Sequence, residues 1–361
     1  MPLDHYVTLG HSGLRVSPFC LGTMTFGLEW GWGSDVEQSC KIIDAYMQHG
    51  GNFLDTANMY TKGHSEVVIG DHIGRHASVR DRMVIATKFM GNMYPGDPNG
   101  GGAGRKSIMN ACDESLRRLQ TDHIDLYWAH FWDTDTPIDE MMDALDSLVR
   151  QGKVRYIGFS DHPAWVCAIA QHEAISKGNT KAIALQIEYS LLERTVEADL
   201  IPMAQHLGLG VTPWSPLKGG ILTGKYTRDN HPSEDDRRYA EDSQHLTDKT
   251  YDIVEALIEI GKEVDGSAAQ VALNWIQHRP GVTSTIIGAR RMSHLEDNLK
   301  ALDLPLTDAH RARLDELSAP ALPFPHQFLD MVKTAIHNGT TVNGDSRDAW
   351  QLGPKDDSER W

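Results

Sequence analysis

Short apolar, often β-branched runs alternate along this chain with longer stretches in which apolar residues recur every three or four positions. The short runs predict strands at Phe19–Leu21, Asn52–Asp55, Met83–Thr87, Ile124–Trp128, Val154–Phe159, Ala182–Gln186, Gly210–Pro213 and Thr283–Ile287. The longer ones predict helices at roughly 36–49, 64–76, 106–119, 138–151, 163–176 and 196–207, then 248–278 in two pieces, and 292–301. Capping chemistry supports this frame: Ser34-Asp35 opens the first helix, Thr136-Pro137 opens the fourth, and Gly152 closes it. Ahead of the repeat, Tyr6 to Leu9 and Leu14 to Ser17 flank His11-Ser12-Gly13 and read as a hairpin.

Eight strand–helix units with strands apolar on both faces predict an α/β fold of the (β/α)8 barrel type, preceded by the hairpin. A doubly wound sheet would carry a GxGxxG turn after its first strand, and the chain has none. The expectation is a single domain over 1–361, with the barrel core at about 18–317. A tail of extra helices at 318–361 would lie over the barrel mouth or against its flank. Gly91–Arg105, with its cluster of glycines, and Thr227–Thr250, with its dense charges, exceed what the barrel needs. Both follow strands, so both are expected at the C-terminal mouth, the first as a flexible loop.

Composition narrows the function. With 34 Lys and Arg against 50 Asp and Glu the net charge is −16, and no basic cluster appears, which argues against a nucleic-acid partner. No run approaches the length of a membrane span, and no export signal opens the chain, so the expected location is the cytoplasm, with no membrane partner. Cys20, Cys40, Cys112 and Cys167 are far apart and in no metal-binding spacing; they read as small buried apolar residues.

Chemistry in such a barrel belongs at the C-terminal ends of the strands. Four residues stand there: Asp55 ending the second strand, Tyr60 in the loop behind it, Lys88 ending the third and His130 ending the fourth. A lysine beside a phenol draws the phenol pKa down, a carboxylate keeps the lysine charged, and the phenol becomes a proton donor. Singly, each residue has an ordinary structural explanation; together, in this order, they point to one pocket. The 18 histidines raise the question of metal, but no HxH follows the first strand and no HExxH occurs, so no metal site is expected. Trp30, Trp32 and Trp132, in mouth loops, suit either ordinary packing or the walls of an apolar substrate pocket.

From about Leu9 to Leu317 the chain resembles the aldo-keto reductase superfamily. The resemblance rests on Phe53-Leu54-Asp55-Thr56-Ala57-x-x-Tyr60, Thr87-Lys88, Ile124-Asp125-Leu126-Tyr127 with His130, and Gly152-Lys153-Val154-Arg155-Tyr156-Ile157-Gly158. It continues through Gln186-Ile187-Glu188-Tyr189-Ser190, Trp214-Ser215-Pro216-Leu217 and Ile287-Gly288-Ala289-Arg290-Arg291 with Glu296-Asp297-Asn298. It implies reversible reduction of small or medium aldehydes or ketones to alcohols by NADP(H), without metal. By the same resemblance Asp55, Tyr60, Lys88 and His130 would form the tetrad, Tyr60 would protonate the carbonyl oxygen, and Tyr60 and His130 would also face the substrate.

The resemblance also implies a cofactor site. Gly22, Thr23, Met24 and Asp55 would lie beside the nicotinamide, Ser160, Asp161 and Gln186 at its carboxamide, and Trp214 stacked on its ring. Ser215, Leu217, Gly219 and Lys225 would cover the pyrophosphate. Gly288, Arg290, Arg291, His294, Asp297 and Asn298 would hold the adenosine 2′-phosphate end, where cations at a helix start favour an anionic ligand. One departure stands out: the family commonly has Ser-Asn where this chain has Ser160-Asp161. A second reading from the same resemblance is a nucleotide-binding, redox-sensing regulatory subunit with slow turnover.

Overall fold

The computed structural model describes residues 2–231 and 245–361. The middle of the charged segment expected at Thr227–Thr250 therefore lies outside the described residues. The chain divides into two compact units, Met1–Ala319 and Pro320–Trp361.

In the first unit, the hairpin strands β1 (Val7–Thr8) and β2 (Arg15–Val16) pair antiparallel. Eight parallel strands follow: β3 (Phe19–Gly22), β4 (Phe53–Asp55), β5 (Val84–Phe89), β6 (Ile124–Ala129), β7 (Val154–Ser160), β8 (Ala182–Glu188), β9 (Gly210–Trp214) and β10 (Thr285–Gly288). They are hydrogen-bonded in the order β10-β3-β4-β5-β6-β7-β8-β9. The amide of Val211 donates to the Gly281 carbonyl at 3.2 Å, and the Thr283 amide donates to the Val211 carbonyl at 2.8 Å, joining β9 to the segment entering β10. The (β/α)8 barrel predicted from the periodicity is the fold observed.

Strand side chains alternate between two cores. Phe19, Leu21, Leu54, Ile85, Tyr127 and Leu185 face the surrounding helices, while Cys20, Phe53, Val84, Ala86, Leu126, Trp128 and Ala184 fill the interior. Leu9 and Val16 of the hairpin join the interior cluster, so the hairpin stoppers one end of the barrel. Its Gly10 (φ 58°) sits so close that a Cβ there would collide with the Ile183 carbonyl oxygen. Gly158 makes room for the Trp128 indole, whose nearest carbon would be 2.5 Å from an added Cβ.

The helices fall where the periodicity puts them, with local differences. Asp35 caps Val36–Gln48, its side chain accepting from the Gln38 amide, and Gly152 takes a positive φ behind Ile138–Arg150. The helix expected over 64–76 ends its α-helical part at Ile69 and widens to a π turn over Gly70–Gly74. The two glycines explain it: a Cβ on Gly70 would collide with the Arg118 carbonyl oxygen, and one on Gly74 with that of Leu119. The insert after β5 is laced rather than loose. The Gly102 amide donates to the Met90 carbonyl, the Ala103 amide to the Asp133 carboxylate at 2.8 Å, and Ser107 Oγ to the Asn99 carbonyl. All four cysteines are free thiols, three of them buried.

The second unit holds the helix His326–His337 and a ribbon of Thr341–Val342 and Asp345–Ser346. Arg347 ties the two together, donating to Asp330 at 3.1 Å and pairing with Asp345. No helix among the described residues is long and apolar enough to cross a membrane.

Candidate active site

The alternation that fills the barrel also selects its polar end. Continuing the inward-facing series past Cys20, Phe53, Ala86, Trp128, Gly158, Ala184, Thr212 and Ile286 reaches Gly22, Asp55, Lys88, His130, Ser160, Gln186, Trp214 and Gly288. Strand register brings these together: Gly22 pairs with both Asp55 and Gly288, and Ser160 with Gln186. Each lies within two residues of the C-terminal end of its strand, where the apolar filling stops.

Lys88 is fully buried, and its Nζ donates to the Asp55 carboxylate, to the Thr56 carbonyl at 2.9 Å and to the Tyr60 hydroxyl at 3.0 Å. The three donors of the ammonium are thereby used. The other Asp55 oxygen accepts from Gln186 Nε2 at 3.0 Å, and the Asp55 carbonyl accepts from the Thr23 amide and hydroxyl. Burial opposes the ammonium, but Asp55 and then Tyr60 outweigh it and hold Lys88 above the ordinary lysine pKa.

Tyr60 is positioned by a costly turn. Thr61 (φ 47°), Lys62 (φ 60°) and Gly63 (φ 92°) are all left-handed, and a β-branched residue there is unusual. The Thr61 hydroxyl holds the turn by donating to the Phe26 carbonyl at 2.7 Å and accepting from the Ser65 amide at 3.0 Å. Lys88 pulls the phenol pKa down as expected, but burial outweighs it and the net displacement is upward. The phenol thus stays protonated as a donor, rather than approaching phenolate at neutrality.

His130 lies edge-on to Tyr60, ring centroids 5.8 Å apart. Burial, reinforced by the charge of Lys88, pushes its pKa down to about 2, so it is a neutral imidazole. Its Nδ1 is buried without a partner among the described residues. Trp30 stands edge-on to Tyr60 at 6.3 Å, and Trp32 packs on Trp30 at 5.6 Å. Trp132 instead pairs with Trp165 at 5.2 Å, a partner the spacing did not reveal.

The residues expected to hold the nucleotide form three groups. Ser160 and Gln186 are buried, Asp161 (φ 49°) accepts from Trp214 Nε1 at 3.0 Å, and Ser160 Oγ donates weakly to Asp161 at 3.4 Å. Ser215 (φ 53°) leads into a turn over Lys218–Thr223, entered from Leu217, with Lys218, Gly219 and Gly220 at positive φ. Lys218 pairs with Glu188, and Lys225 lies 4.1 Å over the Tyr226 ring. The exposed Arg290 and Arg291 stand at the start of Met292–Lys300, whose first turn no side chain caps. Partial burial, with these two arginines beside it, lowers the His294 pKa.

Two expected ligands are engaged internally. Asp297 accepts from Ser267 Oγ at 3.0 Å and Gln270 Nε2 at 2.6 Å, and Asn298 Nδ2 donates to the Gly288 carbonyl at 3.1 Å. Thr25 and Ser34 donate to the Ala289 and Arg290 carbonyls, so the loop holding Met24 is tied to the arginine loop. Sequence reasoning missed those bonds and the Thr56 carbonyl, because side-chain to backbone partners leave no sequence spacing.

The donor set fits a dinucleotide carrying an extra phosphate. Guanidiniums at an uncapped helix start oppose the helix dipole and suit an anion, and the positive-φ turn after β9 is a backbone shape that receives phosphate. Among the described residues nothing lies within 4 Å of where a Cβ would stand on Gly288. Among the described residues no three His, Cys, Asp or Glu side chains gather as a metal-ion site.

A profile of the Aldo/keto reductase family matches residues 18–319. An uncharacterised oxidoreductase of Bacillus subtilis is 39% identical over 310 residues, spanning 83% of this chain and 92% of the relative. The NADP(+) aryl-alcohol dehydrogenase of Phanerodontia chrysosporium is 34% identical over 339 residues (88% and 85%). The norsolorinic acid reductase of Aspergillus flavus is 33% identical over 356 residues (96% and 89%).

Proposed function

The chain belongs to the aldo/keto reductase family of oxidoreductases, and we propose that it is a cytoplasmic NADP(H)-dependent enzyme that reversibly interconverts aldehydes or ketones and alcohols. The observation that carries this reading is the hydrogen-bonded line from Gln186 through Asp55 and Lys88 to the Tyr60 hydroxyl. The relative named for aryl-alcohol dehydrogenation, together with Trp30 beside Tyr60 and Trp32 beside Trp30, favours aromatic carbonyl compounds.

Bound nicotinamide would supply and accept the hydride. Tyr60 gives its phenolic proton to the carbonyl oxygen, and Lys88 stabilises the negative charge that this leaves on the tyrosine oxygen. Asp55 keeps Lys88 charged and Gln186 keeps Asp55 in place. His130, neutral at every physiological pH, orients the substrate oxygen by hydrogen bonding rather than by charge. Ser160, Asp161, Gln186 and Trp214 would meet the nicotinamide end. Ser215, Leu217, Gly219 and Lys225 would meet the pyrophosphate, and Arg290 and Arg291 the 2′-phosphate. Asp297 and Asn298, bonded to Ser267, Gln270 and the Gly288 carbonyl, hold the helix that follows the arginines and would lie at the adenosine end.

The test is turnover of a panel of aromatic and aliphatic aldehydes and ketones, followed by nicotinamide absorbance with NADPH and with NADH. Carbonyl-dependent oxidation of NADPH, strongest for aromatic substrates, is expected. No turnover across the panel, with nucleotide tightly retained, would refute the enzymatic reading.

A further inference from the structure

Asp161 is a site residue whose charge the tetrad leaves unused. Its left-handed backbone at φ 49° explains why an Asp or Asn stands there, since short side chains with a carbonyl-type oxygen tolerate that conformation best. The bond from Trp214 Nε1 at 3.0 Å explains why that oxygen is needed. Both demands are met equally by asparagine, whose amide oxygen accepts as well as a carboxylate oxygen does. What remains to be explained is the charge.

That charge is held at a cost. Burial pushes the Asp161 carboxyl up to about 6; the Trp214 bond and Lys88 offset part of this, and neighbouring Glu188 adds to it. Lys88 offers no direct partner, because its three donors go to Asp55, Thr56 and Tyr60, and Glu188 is itself paired with Lys218. An anion kept beside the indole and the tetrad, without a cation of its own among the described residues, is complementary to a cation that arrives with a ligand.

Resting on the reading that this site holds a nicotinamide nucleotide, we infer that the Asp161 carboxylate discriminates between the two redox forms, favouring the oxidised one, whose ring is a cation, over the neutral reduced one. An isosteric asparagine would keep the fold, the Trp214 bond and the nucleotide but lose the preference. The same charge favours the redox change that creates positive charge on the ring and so makes the bound couple a stronger reductant.

The experiment compares dissociation constants for NADP+, NADPH and adenosine 2′,5′-bisphosphate, which lacks the ring, by quenching of tryptophan fluorescence at about pH 8. Wild type, Asp161→Asn and Asp161→Ser are measured together, the serine variant guarding against a peculiarity of the amide. The ratio of the NADP+ to the NADPH constant should rise roughly tenfold in both variants, equivalent to about 1.4 kcal/mol, with the ringless fragment unchanged. A ratio unchanged within about twofold would overturn the inference, as would an equal loss of affinity for the fragment. If wild type binds none of the three, the nucleotide reading itself fails, an outcome distinct from an unchanged ratio.

Discussion

Replacing Lys88 with methionine removes a buried cation while nearly conserving volume, and the consequence can be worked through from its three hydrogen bonds. Asp55 loses its counter-ion and keeps only Gln186 Nε2 at 3.0 Å, the Thr56 carbonyl loses its 2.9 Å donor, and Tyr60 loses the charge beside its hydroxyl. Stripping one partner from a buried ion pair leaves an uncompensated charge and costs about 3–5 kcal/mol. Urea unfolding followed by circular dichroism should show a loss of that size for Lys88→Met, whereas Asp55→Asn with Lys88→Met, which leaves no bare charge, should recover at least about half of it. The pH dependence has a definite sign. Because the folded-state pKa of Lys88 is raised, the stability from its charge is complete below the unfolded value of about 10.4 and is lost as pH rises through the higher folded value. The gap between wild type and the double variant should therefore be flat from neutrality to about pH 10 and narrow above it. A loss under about 1 kcal/mol in the single variant, or no recovery in the double, would show that the pair does not carry the charge logic assigned to it.

Arg290→Ala with Arg291→Ala should weaken NADPH by about 10–150-fold, the worth of a charged hydrogen bond to phosphate, and barely change NADH; equal weakening in titrations of both would make the arginines structural. Asp161, whose folded pKa of about 6 lies above the unfolded 3.9, should stabilise wild type relative to Asp161→Asn as pH falls from 7 to 4, by about 2–3 kcal/mol in urea unfolding. Stability that instead declined relative to the variant over that range would reverse the sign. His130, neutral down to about pH 2, should show no proton titration of its ring resonances between pH 5 and 8 in NMR spectra, and a midpoint near 6.5 would contradict its burial beside Lys88.

The barrel was legible because two periodicities carry it, and the second of them also carries half of the site. Counting by two from Phe53 reaches Asp55, from Ala86 reaches Lys88, and from Ala184 reaches Gln186, all placed by the alternation that buries their neighbours. Tyr60 was legible only from its motif: its position depends on three consecutive left-handed residues, one of them Thr61, which local propensity argues against. The π turn at Gly70–Gly74 was hidden because its cause is the close backbone at Arg118 and Leu119, far away in sequence. The pairing of Trp132 with Trp165 was hidden for the same reason. The upward displacement of the Tyr60 pKa was misjudged because spacing reports the neighbouring charge but not the depth of burial, which here outweighs it.

The proposed delivery of the proton by Tyr60 is the step on which the functional reading depends, and rapid mixing of wild type or Tyr60→Phe, each preloaded with NADPH, against an aromatic aldehyde tests it most directly. The missing hydroxyl removes the 3.0 Å bond to Lys88 and the proton donor while leaving the ring against His130 and Trp30. The single-turnover rate of nicotinamide oxidation should fall by about 10²–10⁴-fold, the range for loss of a general acid, with the NADPH dissociation constant unchanged. A rate within about threefold of wild type would contradict the assignment.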